Sequence, residues 1–445
     1  MRAPRGYIRS VSSFSSGPRF VLLLALGAGL AAPSAAPAHV GAGAGDTDVL
    51  VHPGDPQARL LEAPWGLVVS AEGDTFDWVC HEVLSAGAGE FPTFEIGPDG
   101  TLLGITRQLT GNRVAGESLY RSTDGGCSWD PVQGTTDQLV IAASFDPADP
   151  NVALVVTATP ASDGAPPTNS LLRSDDRGAT FAPVLTDEGR TYRSVAFGPD
   201  SVAYALAIDG EVPAAVLLRS DDGGETWLPH AVPDETLESA AFGTISAVDP
   251  SDPLQVWLTF DGNIDDGVLR SLDGGESFAP ALVPASFVLD LVLTPDGGGF
   301  LVGDQRQLWR SDDRATWTLL EGAVQVWGGA WIDGRADFAV NTLAHDEALV
   351  TTSTGESFDV VFETLELRGP LACPAESEVA QVCEPLWEDL YRSLELMRPR
   401  PSGDDDDSSD PAPTSCEGCA TGRSPGSLGS ALLLALVLGG VRRRR

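Results

Sequence analysis

Residues 220–227 read SDDGGETW, a serine, two aspartates, two glycines and a tryptophan packed between the apolar runs AAVLL (214–218) and the strand-like LPHAV (228–232). A tight hairpin needs this mixture. A hydroxyl or carboxylate caps free backbone N–H groups, and a glycine takes the position where φ turns positive. The aromatic then enters the following strand, where a large apolar surface is available to bury. Asp222, Gly224 and Trp227 are therefore read as fold residues, with Ser220 as the cap.

The pattern S-x-D-x-G-x-x-[WF] recurs in full at STDGGCSW (Ser122, Asp124, Gly126, Trp129), SDDRGATF (Ser174, Asp176, Gly178, Phe181) and SLDGGESF (Ser271, Asp273, Gly275, Phe278). Shortened copies stand at Ser311 (SDDRATW) and Ser353 (STGESF), and one precedes the others at Ser70 (SAEGDTF), with Glu72 in the aspartate position. The seven copies are spaced by 52, 52, 46, 51, 40 and 42 residues, a period that marks propellers or solenoids. Each period reads as strands alone. In FVLDLVLTPDGGGFLVGDQRQLWRSDDRATWTLL (287–320), four short runs are separated by turns, which predicts a four-stranded antiparallel blade with the motif between its third and fourth strands. The copies of Asp-Pro in FDPADPN and VDPSDPL mark the first turn of two other blades. The expected fold is all-β: a seven-bladed β-propeller over residues 46–366, with DTDVLVH starting the first blade or completing the last.

Composition agrees. A chain of 445 residues with 42% hydrophobic content, 49 glycines and 33 prolines suits many strands joined by tight turns. The 27 basic residues are all arginine, against 64 acids and a net charge of −37. Such a surface repels phosphate backbones and anionic lipid, so no nucleic acid is expected as a partner.

The ends read as processing segments. Residues 1–38 join Arg2, Arg5, Arg9 and Arg19 to the apolar run FVLLLALGAGLAA and an Ala36-Pro37-Ala38 cleavage pattern, which predicts a signal peptide cut before His39. Residues 398–415, RPRPSGDDDDSSDPAPTS, bury no face and predict a disordered acidic linker. Residues 416–445 place Cys416 and Cys419 before a small-residue spacer, an apolar stretch at 428–441 and a terminal arginine cluster, a membrane stop with its charges on the cytoplasmic side. Between blade seven and the linker, Val379, Val382, Leu386, Trp387, Leu390 and Leu394 recur at near-helical spacing, which predicts a helical cap over 370–397. Six cysteines in an exported chain predict disulfides. With Cys416 and Cys419 set aside, the favoured pairing is Cys80 with Cys127 and Cys373 with Cys383. The competitor joins Cys80 to the C-terminal extension, because ring closure brings blade seven beside blade one.

On the motif residues above, the chain resembles the Asp-box, or BNR, repeats of β-propellers over residues 46–366. The resemblance implies the propeller fold, with the motifs on the rim away from the central pocket, and leaves the activity open. The best-known enzymes with these repeats, the sialidases, clamp a carboxylate with three arginines and use a Tyr-Glu nucleophile pair. Here Arg121, Arg173, Arg219, Arg270 and Arg310 each precede a motif serine, as a repeat feature does; the family's Arg-Ile-Pro signature is absent, and only Tyr120, Tyr192 and Tyr204 fall inside the propeller. The C-terminal segment 416–445 resembles the sorting signal of myxobacterial surface proteins. That resemblance implies a sorting protease as a partner, removal of the hydrophobic helix, and lipid modification of Cys416 or Cys419; a plain tail anchor is the alternative.

Catalytic signatures of the G-x-S-x-G, P-loop and H-E-x-x-H kinds are absent, and His39, His52, His81, His230 and His345 are scattered, so no catalytic residue, metal or cofactor is assigned. The loop DGNIDDG spaces Asp261, Asn263 and Asp265 as oxygen-ligand calcium loops do, but its glycine falls one place late and no Glu closes the set, so a polar hairpin is the better reading. The sequence thus predicts an exported, surface-anchored, non-catalytic propeller that binds or scaffolds a glycan or protein ligand. The alternative is a secreted glycoside hydrolase on the same fold, sialidase-like or built on two carboxylates, which 64 acids always leave open.

Overall fold

A computed structural model describes residues 48–397, except for short stretches of which the longest are 85–91, 160–167, 234–242, 261–266, 282–287 and 341–346. Seven four-stranded antiparallel sheets follow one another along the chain, with strands ordered from the inside outward. Blade 1 consists of Val49–Val51, Arg59–Ala63, Gly66–Ser70 and Phe76–Val79. Blade 2 begins at Thr93–Ile96, blade 3 at Leu139–Phe145, blade 4 at Arg190–Phe197, blade 5 at Gly243–Asp249, blade 6 at Val288–Leu293 and blade 7 at Val326–Ile332. The N-terminal segment therefore opens blade 1 rather than completing blade 7.

The core lies between blades. Buried Leu154, Val156, Tyr192, Phe197 and Leu218 join blades 3 and 4, and Tyr204, Leu206, Ile245, Val256 and Phe260 join blades 4 and 5. This interleaving explains the near-continuous apolar runs of the second strands: both faces of each sheet meet a neighbour, so alternation is lost.

The motif turns sit between the third and fourth strands, as expected, and their chemistry repeats. In blade 4, Ser220 Oγ donates to Asp222 Oδ1 at 2.7 Å and accepts the Gly224 N–H at 2.8 Å. Asp222 in turn accepts the N–H and hydroxyl of Thr226 at 2.8 and 2.6 Å. The same serine-to-aspartate bond measures 2.8 Å in blades 2, 3 and 5. Gly223 and Gly224 lie at φ 69° and 88°, two successive left-handed residues, and a Cβ on Gly224 would stand 2.7 Å from Leu154 of the neighbouring blade. Trp129 is buried against Phe94 at 5.6 Å between ring centres, whereas Trp227 is half-buried; both indoles donate Nε1–H to the motif glycine carbonyl, at 2.9 and 3.0 Å. The seventh copy starts one residue earlier than its sequence suggests. The Gly355 N–H bonds to Thr352 Oγ1 at 2.8 Å, so Thr352 rather than Ser353 takes the capping place, an exchange of hydroxyl residues that a serine-based pattern misses.

Three of the arginines before the motif serines are struts between blades, while Arg219 Nε donates to Asp221 of its own turn at 2.8 Å. Arg121 Nε donates to the Arg177 carbonyl at 2.6 Å, Arg173 Nε donates to the Gly223 carbonyl at 2.8 Å, and Arg310 donates to the Thr354 carbonyl, each acceptor lying in the next motif turn. Arg270 departs from this, stacking on Trp257 of its own blade at 4.9 Å. The next motif is shortened, and its Arg314 reaches back to the buried Asp249 of blade 5 and donates to the Gly298 and Thr294 carbonyls at 2.9 and 2.6 Å.

Ring closure uses no shared strand. Instead the segment after blade 7 returns to blades 1 and 2. Gly369 and Leu371 bond to both sides of Trp78 on the outer strand of blade 1, each at 2.8 Å, and cover that exposed edge. Arg368 forks onto Asp77 at 2.9 and 2.6 Å. A short helix α1 (Glu378–Val382) docks on the blade 2 motif, where Glu378 accepts the Trp129 N–H at 2.8 Å and the Val379 N–H meets the Cys127 carbonyl at 3.2 Å. A turn at Glu384–Leu386, containing Pro385, separates it from α2 (Trp387–Met397), so the apolar periodicity belongs to two helices rather than one. Val379 and Leu394 are buried, while Val382, Leu386, Trp387 and Leu390 pack against the same cluster.

The disulfides are Cys80–Cys383 and Cys127–Cys373, with Cα separations of 5.4 and 5.5 Å. The favoured pairing is thus corrected, and the competitor holds. Each extension cysteine faces a different blade, Cys373 the motif of blade 2 and Cys383 the end of blade 1, because the extension crosses both. The bonds close stretches of 303 and 246 residues and so restrict the unfolded chain far more than the short-range pairing would.

Candidate functional site

Two repeated sets of residues stand at the two ends of the blades, and they differ in what they have left to offer. At the motif end, the Ser and Asp side chains are spent on their own turns, Arg121, Arg173 and Arg310 on the next motif turn, and Arg219 and Arg270 on partners in their own blades. The five predicted motif arginines therefore do not converge on a common ligand position.

At the opposite end, where the first strand of each blade begins, the structure reveals a second repeat. In blades 3 to 7 the register of the innermost strand slips near its start, between Val140/Ala142, Tyr192/Ser194, Ile245/Ala247, Val288/Asp290 and Val326/Gly328. Each slip inserts one residue: Ile141, Arg193, Ser246, Leu289 and Trp327. A bulge of this kind leaves its extra residue out of the ladder and re-aims the side chain. All five are half-buried in strands that are otherwise largely buried. They occupy equivalent places in successive blades with a sec-butyl chain, a guanidinium, a hydroxyl, an isobutyl chain and an indole. The Arg306 guanidinium lies 3.5 Å from the centre of the Trp327 ring, a cation–π stack that fixes the indole between blades 6 and 7. These residues carry no motif in one dimension; strand register places them.

The residues after the bulges knit the ring. Ser194 Oγ accepts the Ile245 N–H at 3.0 Å, and Asp290 Oδ2 accepts the Gly329 N–H at 2.8 Å. Blades 1 and 2 supply an acidic group at the same end. Asp48 Oδ1 accepts the Val49 N–H at 2.7 Å, and Glu62 accepts the Phe94 N–H. Glu95 is fully buried beside them. Desolvation pushes its carboxyl well above the usual range, and the neighbouring Glu62 and Asp48 charges push it further. Burial and the two neighbouring charges thus favour the protonated form of Glu95.

Tyr192 and Tyr204 are buried between blades; burial pushes the Tyr192 phenol up to about 12, and Tyr204 donates its hydroxyl to the Pro253 carbonyl at 2.7 Å. Neither is an accessible nucleophile. Asp261, Asn263 and Asp265 lie outside the described residues, as do Cys416, Cys419, the signal peptide, the acidic linker and the apolar tail. Among the described residues no group of three or more His, Cys, Asp or Glu could hold a metal ion, and no helix is long and apolar enough to cross a membrane.

No family model matches the chain, and no curated protein matches it. Among solved structures it is similar to YCF48 from Cyanidioschyzon merolae, at 17% identity and a TM-score of 0.42, over 69% of this chain and 93% of that one. It is also similar to the GH74 enzyme of Niastella koreensis, at 13% identity and a TM-score of 0.31, over 74% of each chain. A third is the Hadza microbial sialidase Hz136, at 16% identity and a TM-score of 0.38, over 64% of this chain and 72% of that one. Likenesses at this level carry no functional argument. By its own strand order the chain is a seven-bladed β-propeller, closed by a disulfide-bonded C-terminal extension.

Proposed function

We propose that the protein is an exported, surface-anchored propeller that acts as a non-catalytic binding or scaffold module, with the bulged ring at the axial end opposite the motif turns as its binding surface. The observation that carries this reading is the chemical variety of that ring. Ile141, Arg193, Ser246, Leu289 and Trp327 offer apolar area, one cation, one hydroxyl and one braced aromatic, a composition suited to gripping a mixed surface rather than to moving protons. Two disulfides and the signal-peptide pattern support export, and the Asp-box resemblance supports a scaffold of this architecture. The tail, by its resemblance to a sorting signal, would tether the module.

One observation favours the second reading, a glycoside hydrolase: buried Glu95, its carboxyl pushed up beside two other carboxylates, has the makings of a proton donor with a partner. Against it, Asp48 and Glu62 each accept a backbone N–H, which is what structural carboxylates do.

The two are separated by one experiment. Residues 39–397, expressed with disulfides intact, are screened against glycans and surface extracts, and any ligand is retested with Arg306→Ala. The binding reading expects affinity to fall about tenfold with the ligand recovered whole. New reducing ends that vanish in Glu95→Gln would establish the hydrolase instead.

A further inference from the structure

The repeat supplies its own control for the rim. Directly after the motif serine stand Thr123, Asp175, Asp221 and Asp312 in blades 2, 3, 4 and 6, but Leu272 in blade 5. Directly after the motif aromatic stand Asp130, Ala182, Ala279, Thr318 and Asp359 in blades 2, 3, 5, 6 and 7, but Leu228 in blade 4. Leu228 and Leu272, 63% and 60% exposed, are the most exposed large apolar side chains among the described residues. One exposed leucine needs no explanation. Here there are two, each in place of a polar or small residue of the repeat, and they border the same seam.

Their placement follows from strand geometry. Trp227 packs with the cluster shared by blades 3 and 4. Leu228 and His230 share the other face of the outer strand Leu228–Ala231. That face meets the motif turn of blade 5: a Cβ on Gly275 would stand 3.5 Å from His230 Cβ, and one on Gly274 would press on the Arg219 guanidinium. Arg219 is the residue paired across from Leu228. Leu272 belongs to that same turn, two residues before Gly274.

The charge of the seam is one-sided. The buried Tyr204 phenol lies in the field of Arg219, Asp221, Asp252 and Asp273, three acids against one guanidinium. Arg219 is already held by Asp221, its Nε donating at 2.8 Å. Exposed Glu276 adds a further acid in the blade 5 turn.

We propose that this rim seam docks a second protein, which seats an apolar side chain against Leu228 and Leu272 and sets flanking Arg or Lys residues against Asp221, Asp252 and Glu276. Burial of the two leucines supplies attraction, and the acids select the partner's charge and speed its approach. A second copy of this chain is a poor occupant, since it would bring a net charge of −37 and the same acids against them. The seam lies at the opposite end from the bulged ring, so the two surfaces stand or fall separately.

Phage-displayed random peptides, selected on the disulfide-intact exported protein and counter-selected on the double variant Leu228→Ala/Leu272→Asp, serve as probes. Both substitutions restore residues that other blades carry at these places, so the variant should melt with the native protein. The recovered peptides should carry an aliphatic or aromatic residue flanked by Arg or Lys. A synthetic copy should bind the native protein in calorimetry, more weakly as salt is raised. It should lose about tenfold or more in affinity on the double variant and bind Arg306→Ala unchanged. The proposal is overturned if no peptide survives the counter-selection, if the recovered peptides lack basic residues, or if their binding is lost in Arg306→Ala. A double variant that melts several degrees lower would make the leucines part of the fold, and a native dimer that the double variant dissolves would make the seam a contact between copies; either result also overturns it.

Discussion

Replacing Asp222 by Asn tests whether the motif carboxylates hold the rim together. Desolvation pushes the Asp222 carboxyl up, but hydrogen bonds from Thr226 and Ser220 and the Glu225 backbone outweigh it and lower its pKa from the ordinary 3.8 to about 2. Taken whole, that difference corresponds to about 2.5 kcal/mol. Asp222 is exposed, and solvent screening reduces the contribution to about 1 kcal/mol. Because the folded pKa is depressed, the stabilisation is complete above pH 3.8 and is lost as pH falls through about 2. Asp222→Asn should therefore cost about 1 kcal/mol at pH 6 and only a few tenths at pH 2, measured as the difference from the native protein in urea unfolding with disulfides intact. The carboxyls of Asp176, Asp273 and Asp313 are lowered in the same direction by equivalent bonds, so the native protein itself should lose stability over that acid range. An equal penalty at both pH values would mean that shape, not charge, decides the turn.

Further expectations follow from burial and connectivity. Trp129→Ala should cost about 3–5 kcal/mol, as a fully buried aromatic does, whereas half-buried Trp227→Ala should cost about 2 kcal/mol; chemical denaturation compares them, and equal penalties would contradict the burial difference. Non-reducing peptide mapping should recover Cys80 linked to Cys383 and Cys127 linked to Cys373, and removing either bond should destabilise by about 2–5 kcal/mol, read as a lowered denaturation midpoint. Intact-mass analysis of the surface form should give a chain ending near Cys416 or Cys419 with added lipid mass; recovery of an unmodified VRRRR terminus would mean a tail anchor.

Much of the architecture was legible because it repeats. Seven copies of the motif, the Ser-Asp-Gly grammar of the hairpin and the four-run period state the blade count directly, since a local turn writes its requirements into neighbouring residues. The seventh motif blurred because Thr352 replaces serine and Thr354, which accepts the Glu356 N–H at 3.2 Å, stands in the aspartate place. What stayed hidden depends on pairs far apart in the chain. Nothing near Cys80 marks Cys383 as its partner, and nothing in the run from 326 to 332 marks Trp327 as a bulge, because a register slip depends on the facing strand. The seam between blades 7 and 1 is the clearest case. Arg59, Arg335 and Arg368 belong to no motif and meet only when the ring closes.

The claim that matters most is that the working surface is the bulged axial end. Hydrogen exchange of residues 39–397, with and without a ligand taken from the binding screen, tests it directly. Added protection should concentrate at residues 139–143, 190–195, 243–247, 288–291 and 326–329, leaving the turns at 122–129, 174–181, 220–227 and 271–278 unchanged. Protection centred on those motif turns, with the inner strands unaffected, would contradict the account.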